Sequence, residues 1–207
     1  MALLIRRLAV GPYETNCYLV ACVRTMEAAL VDAGAEAQRL IDAAAGFQVR
    51  YILLTHGHPD HIGALTSARA ALRAPLAYHP LERPMVGAPA DLDLSDGMEL
   101  SLGDHTLRVL HLPGHTPGGA GFLLGRDLFS GDTLFPGGPG HTKSPEDLVE
   151  LVRTIKEKLF VLPSGTVVYP GHGVETTVGQ EREASKEFVA RVEAGWSGSG
   201  DLTWEAE

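Results

Sequence analysis

The sequence predicts an α/β protein in which two β-sheets pack against each other and helices cover their outer sides. Strand-like runs open each half of the chain, and helical segments follow them in each half. With 207 residues and 44% hydrophobic content, the chain can bury a full core. It contains no internal repeat, low-complexity tract or linker, so residues 1–207 are predicted to form one domain.

The elements of the first half follow from hydrophobic periodicity. Apolar and alternating runs indicate strands, while Leu40, Ile41 and Ala44 lie on one stripe of a helix. The stretch at 86–97, rich in Asp and interrupted by Pro and Gly, indicates a loop. The predicted elements before it are strands at 3–10, 17–23, 28–31 and 51–54 and helices at 35–45 and about 61–73.

The second half of the chain shows the same pattern of predicted strands followed by helices. Ser144 and Pro145 mark a helix start, since serine caps free backbone N–H groups and proline fits the first helical position. Asp147, three residues after the cap, strengthens the signal. The predicted elements are strands at 98–102, 106–111, 121–124, 127–129 and 166–169 and helices from 145 onward and at about 177–192.

Composition disfavours several classes of partner. The formal net charge of −9 argues against nucleic acid, because binding to phosphates depends on Lys and Arg. Arg6 and Arg7 interrupt the first apolar run, unlike a signal peptide, and no stretch approaches the ~20 apolar residues of a membrane span. Cys17 and Cys22 would point to opposite faces of one strand and should stay unpaired. We therefore expect a cytoplasmic protein without a membrane or nucleic-acid partner.

The sequence "THGHPDH", residues 55–61, crowds three histidines and an aspartate behind a buried strand. His56 and His58 are two residues apart, so an extended or turning backbone can direct both side chains to one point. Asp60 and His61 follow at the start of the next helix. Asp60 alone could cap that helix, but four potential ligands in six positions exceed what one catalytic zinc takes from a single loop. The spacing therefore indicates two metal ions.

Three further residues of ligand type occupy equivalent places, each soon after a predicted strand. They are His115 in "LPGHTPGG", Asp132 in "FSGDTLF" and His172 in "VYPGHGVET". Their equivalent positions argue against a purely structural role for the histidine cluster.

The motifs "THGHPDH", "PGHTPG", "SGDTLF" and "YPGHG", in this order, resemble those of the metallo-β-lactamase superfamily over about residues 31–173. The resemblance implies a four-layer αββα sandwich with a two-metal site at one edge, between the sheets. It also implies a supporting role behind the ligands for Asp32, which by itself could equally be a turn residue. The implied ligands are His56, His58 and His115 for the first metal, Asp60, His61 and His172 for the second, and Asp132 between the two.

The resemblance implies hydrolysis by a metal-bound hydroxide, with Asp60 and Asp132 as the catalytic residues. Two divalent ions ~3.5–4 Å apart can lower the pKa of water to about 7 and polarise a carbonyl group. We expect zinc, with iron or manganese as alternatives. A serine or cysteine nucleophile is then unnecessary, so Ser130 is interpreted as a turn residue.

Within the superfamily, "SGDTLF" and "VYPGHGVETT" most resemble the glyoxalase II group, which hydrolyses hydroxyacylglutathione thioesters. The expected substrate is therefore a small-molecule thioester, with glutathione as the candidate carrier. A thiol has a pKa near 8.5 and leaves readily, so no dedicated acid is required.

The sequence departs from glyoxalase II in two places. Only 35 residues follow His172, fewer than the full C-terminal helical domain of long members needs. In "GGPGHTK", His141 occupies the position where a basic residue that contacts a glutathione carboxylate is expected. His141 and Lys143 are therefore the candidate substrate-binding residues, and an exposed loop without a substrate role is the alternative.

Two other functions stay open at this point. The first is an iron-dependent persulfide dioxygenase, which has similar motifs. Its single metal site resembles those formed by two histidines and one carboxylate. A non-enzymatic metal-binding or partner-binding module is the second alternative. The complete ligand sets in this chain favour hydrolysis over both.

Overall fold

In the computed structural model, which describes residues 2–206, two six-stranded sheets face each other and helices cover both outer sides. This is the four-layer αββα arrangement that the sequence predicts. The strands are β1 (Leu3–Val10), β2 (Thr15–Cys22), β3 (Glu27–Val31), β4 (Gln48–Leu53), β5 (Leu76–Tyr78), β6 (Leu92–Asp93), β7 (Glu99–Leu102), β8 (His105–His111), β9 (Ala120–Leu124), β10 (Asp127–Gly131), β11 (Leu134–Phe135), β12 (Gly138–Pro139), β13 (Val167–Pro170) and β14 (Thr176–Thr177). The helices are α1 (Ala37–Ala43), α2 (Pro59–Ile62), α3 (Leu65–Leu72), α4 (Arg83–Val86), α5 (Pro145–Thr154), α6 (Val178–Ala184) and α7 (Lys186–Glu193).

In both sheets, most neighbouring strands are also consecutive in the sequence. The first has the order β1-β2-β3-β4-β5-β6, antiparallel among its first three strands and parallel from β3 onward. The second has the order β14-β13-β10-β9-β8-β7, in which only β10 and β13 are parallel. A short ribbon of β11 and β12 lies apart from both. Parallel neighbours end at the same edge, so the loops after β3 and β4 lie close together in the first sheet, as do the loops after β10 and β13 in the second.

Three layers of hydrophobic core hold the sandwich together. Because side chains alternate along a strand, Leu19 of β2 packs toward α1 and α3, whereas its neighbour Val20 packs between the sheets. Phe122 and Phe129 fill the space between the sheets, and Leu128 packs with the α5, α6 and α7 side. Burial of one such large side chain contributes about 1.5–3 kcal/mol, so all three layers contribute substantially to stability.

The sequence prediction for residues 61–73 was wrong in one respect, since the helix is broken between α2 and α3. The Ala33 N–H donates to the His61 carbonyl, and the Ala64 N–H donates to the Ala33 carbonyl, at 2.9 and 2.8 Å. A side chain at Gly63 would lie 2.5 Å from the Gly34 carbonyl oxygen. The loop after β3 therefore inserts at this point and replaces helical hydrogen bonds.

Other boundaries also differ from the prediction. The helix predicted at 177–192 is divided at Ser185 into α6 and α7, and the loop predicted at 86–97 contains β6. Sequence reasoning missed β5 and α4, which are too short to show periodicity. Ser144 does cap α5, with its hydroxyl accepting from the Asp147 N–H at 3.2 Å.

Two further expectations concern cysteines and membrane spans. Cys17 and Cys22 are both free and buried, as predicted. Burial raises the pKa of Cys17 to about 12, which leaves its thiol protonated and inert. Within residues 2–206, no helix has the length and apolar character that crossing a membrane would require.

Glu82 joins two loops from different parts of the chain although it is fully buried. One carboxylate oxygen accepts from the Gly57 N–H at 2.7 Å, and the other accepts from the Gly118 N–H at 2.8 Å. Hydrogen bonds to a charged acceptor are stronger than neutral ones. Glu82 therefore fixes the spacing between the loop after β4 and the loop before β9.

We predict that Glu82→Ala lowers the free energy of unfolding by about 2–4 kcal/mol, because two buried N–H groups lose their acceptor. Glu82→Gln, which keeps one acceptor oxygen, should lose less. Urea-induced unfolding followed by circular dichroism measures both changes. Glu187→Ala, at an exposed position of α7, is the matched control and should change stability by less than about 0.5 kcal/mol. An equally small change for Glu82→Ala would contradict the prediction.

Candidate metal centre

The candidate site lies where loops from both sheets meet. The loop after β4 carries His56 and His58, and the extended backbone at His58 leads into Pro59, the first residue of α2. This short helix directs Asp60 and His61 toward the same place. The loops after β8, β10 and β13 add His115, Asp132 and His172.

The structure brings all seven predicted ligands together. Their nitrogen and oxygen atoms form three overlapping groups, within each of which the atoms lie no more than 4.8 Å apart. The groups are His56, His58 and His115; His56, His61 and Asp132; and Asp60, His61 and His172.

Distances between these atoms are typical of ligands that surround ions. His115 Nε2 lies 3.0 Å from His58 Nδ1, while Asp60 Oδ2 lies 3.3 Å from His172 Nε2. One oxygen of Asp132, Oδ2, lies 3.7 Å from His115 Nε2 and 3.6 Å from His172 Nε2. Asp132 thus lies between the two halves of the cluster.

Four of the five histidine rings are oriented through their second nitrogen. In each, Nδ1 contacts an oxygen atom, which leaves Nε2 to face the cluster. The pairs are His56 with Thr55 Oγ1 at 3.0 Å, His61 with Asp32 Oδ2 at 2.8 Å, His115 with the His141 carbonyl at 2.8 Å and His172 with the Tyr13 carbonyl at 2.9 Å.

Asp32 supports the cluster from behind. Its Oδ1 accepts from the Thr55 N–H at 2.8 Å, and its Oδ2 accepts from the Thr55 hydroxyl at 2.7 Å and contacts His61 Nδ1. Its backbone has a φ of +58°, which is unfavourable for a residue other than glycine. The carboxylate therefore orients a ring of the cluster, and the alternative of a simple turn residue does not describe these contacts.

The electrostatics of the cluster suit a cation. Burial lowers the pKa of His56, and burial together with His115 lowers the pKa of His58 to about 4. Burial also lowers the pKa of His61, but Asp32 and Asp132 outweigh this effect and raise it to about 10. Burial opposes the ionisation of Asp132, yet nearby His61 brings its pKa well below the usual range. The cluster thus combines neutral imidazoles at His56 and His58 with an ionised Asp132, while His61 carries a proton that it would release on binding an ion.

Among the buried side-chain atoms that lack a hydrogen-bond partner, three belong to the cluster. They are His56 Nε2, His61 Nε2 and Asp132 Oδ1, which belong to one of the three groups. Buried polar atoms nearly always have a partner, and imidazole nitrogen and carboxylate oxygen are ligands for zinc, iron and manganese. The residues therefore fit divalent metal ions.

Sequence reasoning missed several residues that shape the site. The Thr15 hydroxyl donates to Asp60 Oδ2 at 2.9 Å, and Asn16 Nδ2 donates to the carbonyls of Pro170 and Gly173 at 3.0 and 2.9 Å. Thr15 and Asn16 do not belong to a recognisable sequence motif, so their contacts with the site become evident only from the fold. Thr55 could have been found, because it directly precedes His56 in the motif.

A cavity of about 340 Å³ opens beside Asp132 and His172. His141 lines it and contacts Asp201, Nδ1 to Oδ1, at 3.0 Å. Lys143 is exposed and lies outside the lining of this cavity. Of the two predicted substrate-binding residues, the structure thus places only His141 in the cavity wall.

Comparison with known proteins agrees with the fold and the motifs. Residues 10–172 match the metallo-beta-lactamase superfamily. The chain is 33% identical over 204 residues to the hydroxyacylglutathione hydrolase GloC of Haemophilus influenzae, covering 87% of this chain and 96% of that protein.

Two solved structures are also similar. BLEG-1 B3 metallo-beta-lactamase has a TM-score of 0.81 and 33% identity, with 87% of this chain and 97% of that chain covered. TTHA1623 in a di-iron-bound form has a TM-score of 0.74 and 35% identity, with 86% and 96% covered. Because motif order, four-layer architecture and sequence match agree, the chain belongs to the metallo-β-lactamase superfamily, whose members are metal-dependent hydrolases.

Proposed function

We propose that this protein hydrolyses a thioester of the hydroxyacylglutathione type in a metal-dependent reaction. The convergence of seven ligand residues from four loops, with Asp132 between the two halves, carries the proposal. The similarity to GloC, which is named a hydroxyacylglutathione hydrolase, supports the thioester as substrate class.

In this proposal, His56, His58 and His115 would hold one divalent ion, while Asp60, His61 and His172 would hold the second. Asp132, which lies near both His115 and His172, would serve both sites. Zinc is the expected metal, and the di-iron form of TTHA1623 supports iron as an alternative to it. When bound, such a pair of ions supplies Lewis acidity and an activated water at neutral pH.

The protein's own contribution is to position the ligands and the substrate. Thr15 and Asp32 fix Asp60 and His61, so that little reorganisation is needed during the reaction. The cavity beside His172 offers space for a small thioester, and His141 in its wall is the proposed substrate contact. Lys143 lies outside the lining of this cavity, yet its positive charge contributes, after burial and His115, to the lowered pKa of His58 and therefore acts near the cluster. A departing thiolate requires no proton from the protein.

The main alternative is an iron-dependent persulfide dioxygenase. The di-iron relative makes iron a realistic metal, and iron with histidine and carboxylate ligands suits reactions with O₂. A site for that chemistry needs only two histidines and one carboxylate, whereas this chain brings five histidines and two aspartates together. The larger ligand set favours hydrolysis.

One preparation can distinguish these functions. The protein, purified without added metal, is subjected to elemental analysis and then assayed for thiol release from S-lactoylglutathione and for oxygen uptake with glutathione persulfide. We expect close to two metal ions per chain and metal-dependent thiol release without oxygen uptake. Oxygen uptake alone would favour the dioxygenase, and absence of both activities would favour a non-enzymatic binding module.

We predict that Asp132→Ala lowers the metal content and reduces thioester hydrolysis at least ~10²-fold, because one carboxylate serves both ions. Elemental analysis and the thiol-release assay measure the two effects. Asp42→Asn, at an exposed position of α1, is the control for loss of one acidic charge and should leave both unchanged. Full metal content together with full turnover in Asp132→Ala would refute the role between the ions.

We predict that Asp32→Asn weakens metal binding about 10–100-fold, the usual effect of losing a partner that orients a ligand. An amide cannot accept all three hydrogen bonds that the carboxylate receives from Thr55 and His61. Competition with a chromophoric chelator measures the affinity. If Asp32→Asn binds metal as tightly as the wild type, Asp32 serves only the fold.

A further inference from the structure

Residues 200–204, here termed the 200–204 segment, form one wall of the substrate cavity. Gly200 and Thr142 exchange two backbone hydrogen bonds, at 2.7 and 3.2 Å, in an isolated antiparallel bridge. A side chain at Gly138 would lie 2.5 Å from the Leu202 carbonyl oxygen, which shows how closely the two segments approach. Asp201, Leu202 and Thr203 all line the cavity beside Asp132 and His172.

Trp204 anchors this segment. Its side chain is buried, its indole N–H donates to Glu181 Oε2 at 2.8 Å, and its backbone N–H donates to the Gly137 carbonyl at 2.8 Å. The same Glu181 oxygen accepts from the Gly137 N–H at 2.9 Å. The segment and the loop after β11 therefore share one buried carboxylate, which holds Asp201 in place relative to the cavity.

The wall carries acidic charge. Asp201 lines the cavity and contacts His141, Oδ1 to Nδ1, at 3.0 Å, and its side chain is 93% exposed, so a molecule in the cavity can approach it. Among the described residues that line the cavity, none is a lysine or an arginine. Phe135, Pro136 and Leu202 supply apolar surface. At this wall, away from the proposed metal ligands, an anionic group would meet the Asp201 carboxylate and no lysine or arginine side chain.

A second cavity, of about 220 Å³, lies beside Asp60 and is also lined by Tyr13 and Thr15. Its lining is mostly apolar, with Val10, Pro12 and Pro59 among its residues. A thioester divides into a small acyl group and a larger thiol carrier. The larger cavity, beside Asp201, therefore suits the carrier, and the smaller one suits the acyl group.

We propose that Asp201 is a specificity-determining residue that disfavours thiol carriers with a carboxylate and favours neutral or cationic ones. This inference rests on the proposed thioester hydrolysis and narrows its substrate class. Glutathione itself carries carboxylates, so S-lactoylglutathione should be hydrolysed less efficiently than a thioester of a neutral carrier. Because the Asp201 side chain is exposed, its effect is modest. We expect it to change KM about two- to five-fold with little change in kcat, since it contacts the carrier and not the reacting atoms.

The test uses one acyl group on three small carriers of different charge. The lactoyl thioesters of 3-mercaptopropionate, N-acetylcysteamine and thiocholine carry a negative, a neutral and a positive carrier. For metal-loaded wild-type protein at low salt, kcat/KM relative to the neutral ester should be lowest for the anionic ester and highest for the cationic one. The differences should shrink at physiological salt because exposed charges are screened.

In Asp201→Asn, the kcat/KM values of the three esters should become more nearly equal. In Asp201→Lys, their order should be reversed. Glu205→Gln removes one exposed acidic charge that lies outside the cavity lining and should keep the wild-type order. If thioesters are hydrolysed but Asp201→Asn and Asp201→Lys keep that order, Asp201 does not select the carrier and this inference fails while the proposed function stands. If the wild type hydrolyses none of these esters and no S-lactoylglutathione, the proposed function fails, and the inference fails with it.

Discussion

Seven candidate metal-ligating side chains from loops far apart in the sequence meet within a few ångströms, and the rest of the structure is arranged around this convergence. Metal ligands need fixed directions as well as proximity, because a ring that can rotate binds an ion weakly. The four-layer sandwich meets both conditions by ending strands of two sheets at one edge. Buried polar groups then fix the loops: Glu82 joins the loops of His58 and His115, and Asp32 orients His61.

Much of this site could be predicted from the sequence, because its ligands are concentrated in short motifs with an unusual composition. His56, His58, Asp60 and His61 lie within six positions, and only the remaining three ligands required the family's motif order. The fold class was accessible for a similar reason, since strands such as β1 and β8 are long enough to show alternation. Ser144 at the start of α5 was predictable because helix capping is a local interaction.

The features that could not be predicted depend on contacts between distant residues. The break between α2 and α3 arises from hydrogen bonds to Ala33, about thirty residues earlier, which no local propensity encodes. Glu82 and Thr15 acquire their roles only when the loops they contact are in place. The position of Asp201 could not be predicted either, because its contact with His141 joins residues that are 60 positions apart in the sequence. Short elements such as β5 and β6 take their conformation from neighbouring strands.

The start of β2 also bears on how the protein folds. The Asn16 side-chain amide donates hydrogen bonds to the carbonyls of Pro170 and Gly173, which lie 154 and 157 positions further along the chain. Thr15 pairs with His172 in an isolated β-bridge. Closing so long a loop costs conformational entropy before any contact repays it, and contacts of this separation slow folding. The half of the cluster that contains Asp60 and His172 is therefore expected to assemble late, after the first hairpin and the second sheet have formed. A nascent chain would carry His56, His58 and Asp60 into solution long before their partners from the second sheet arrive.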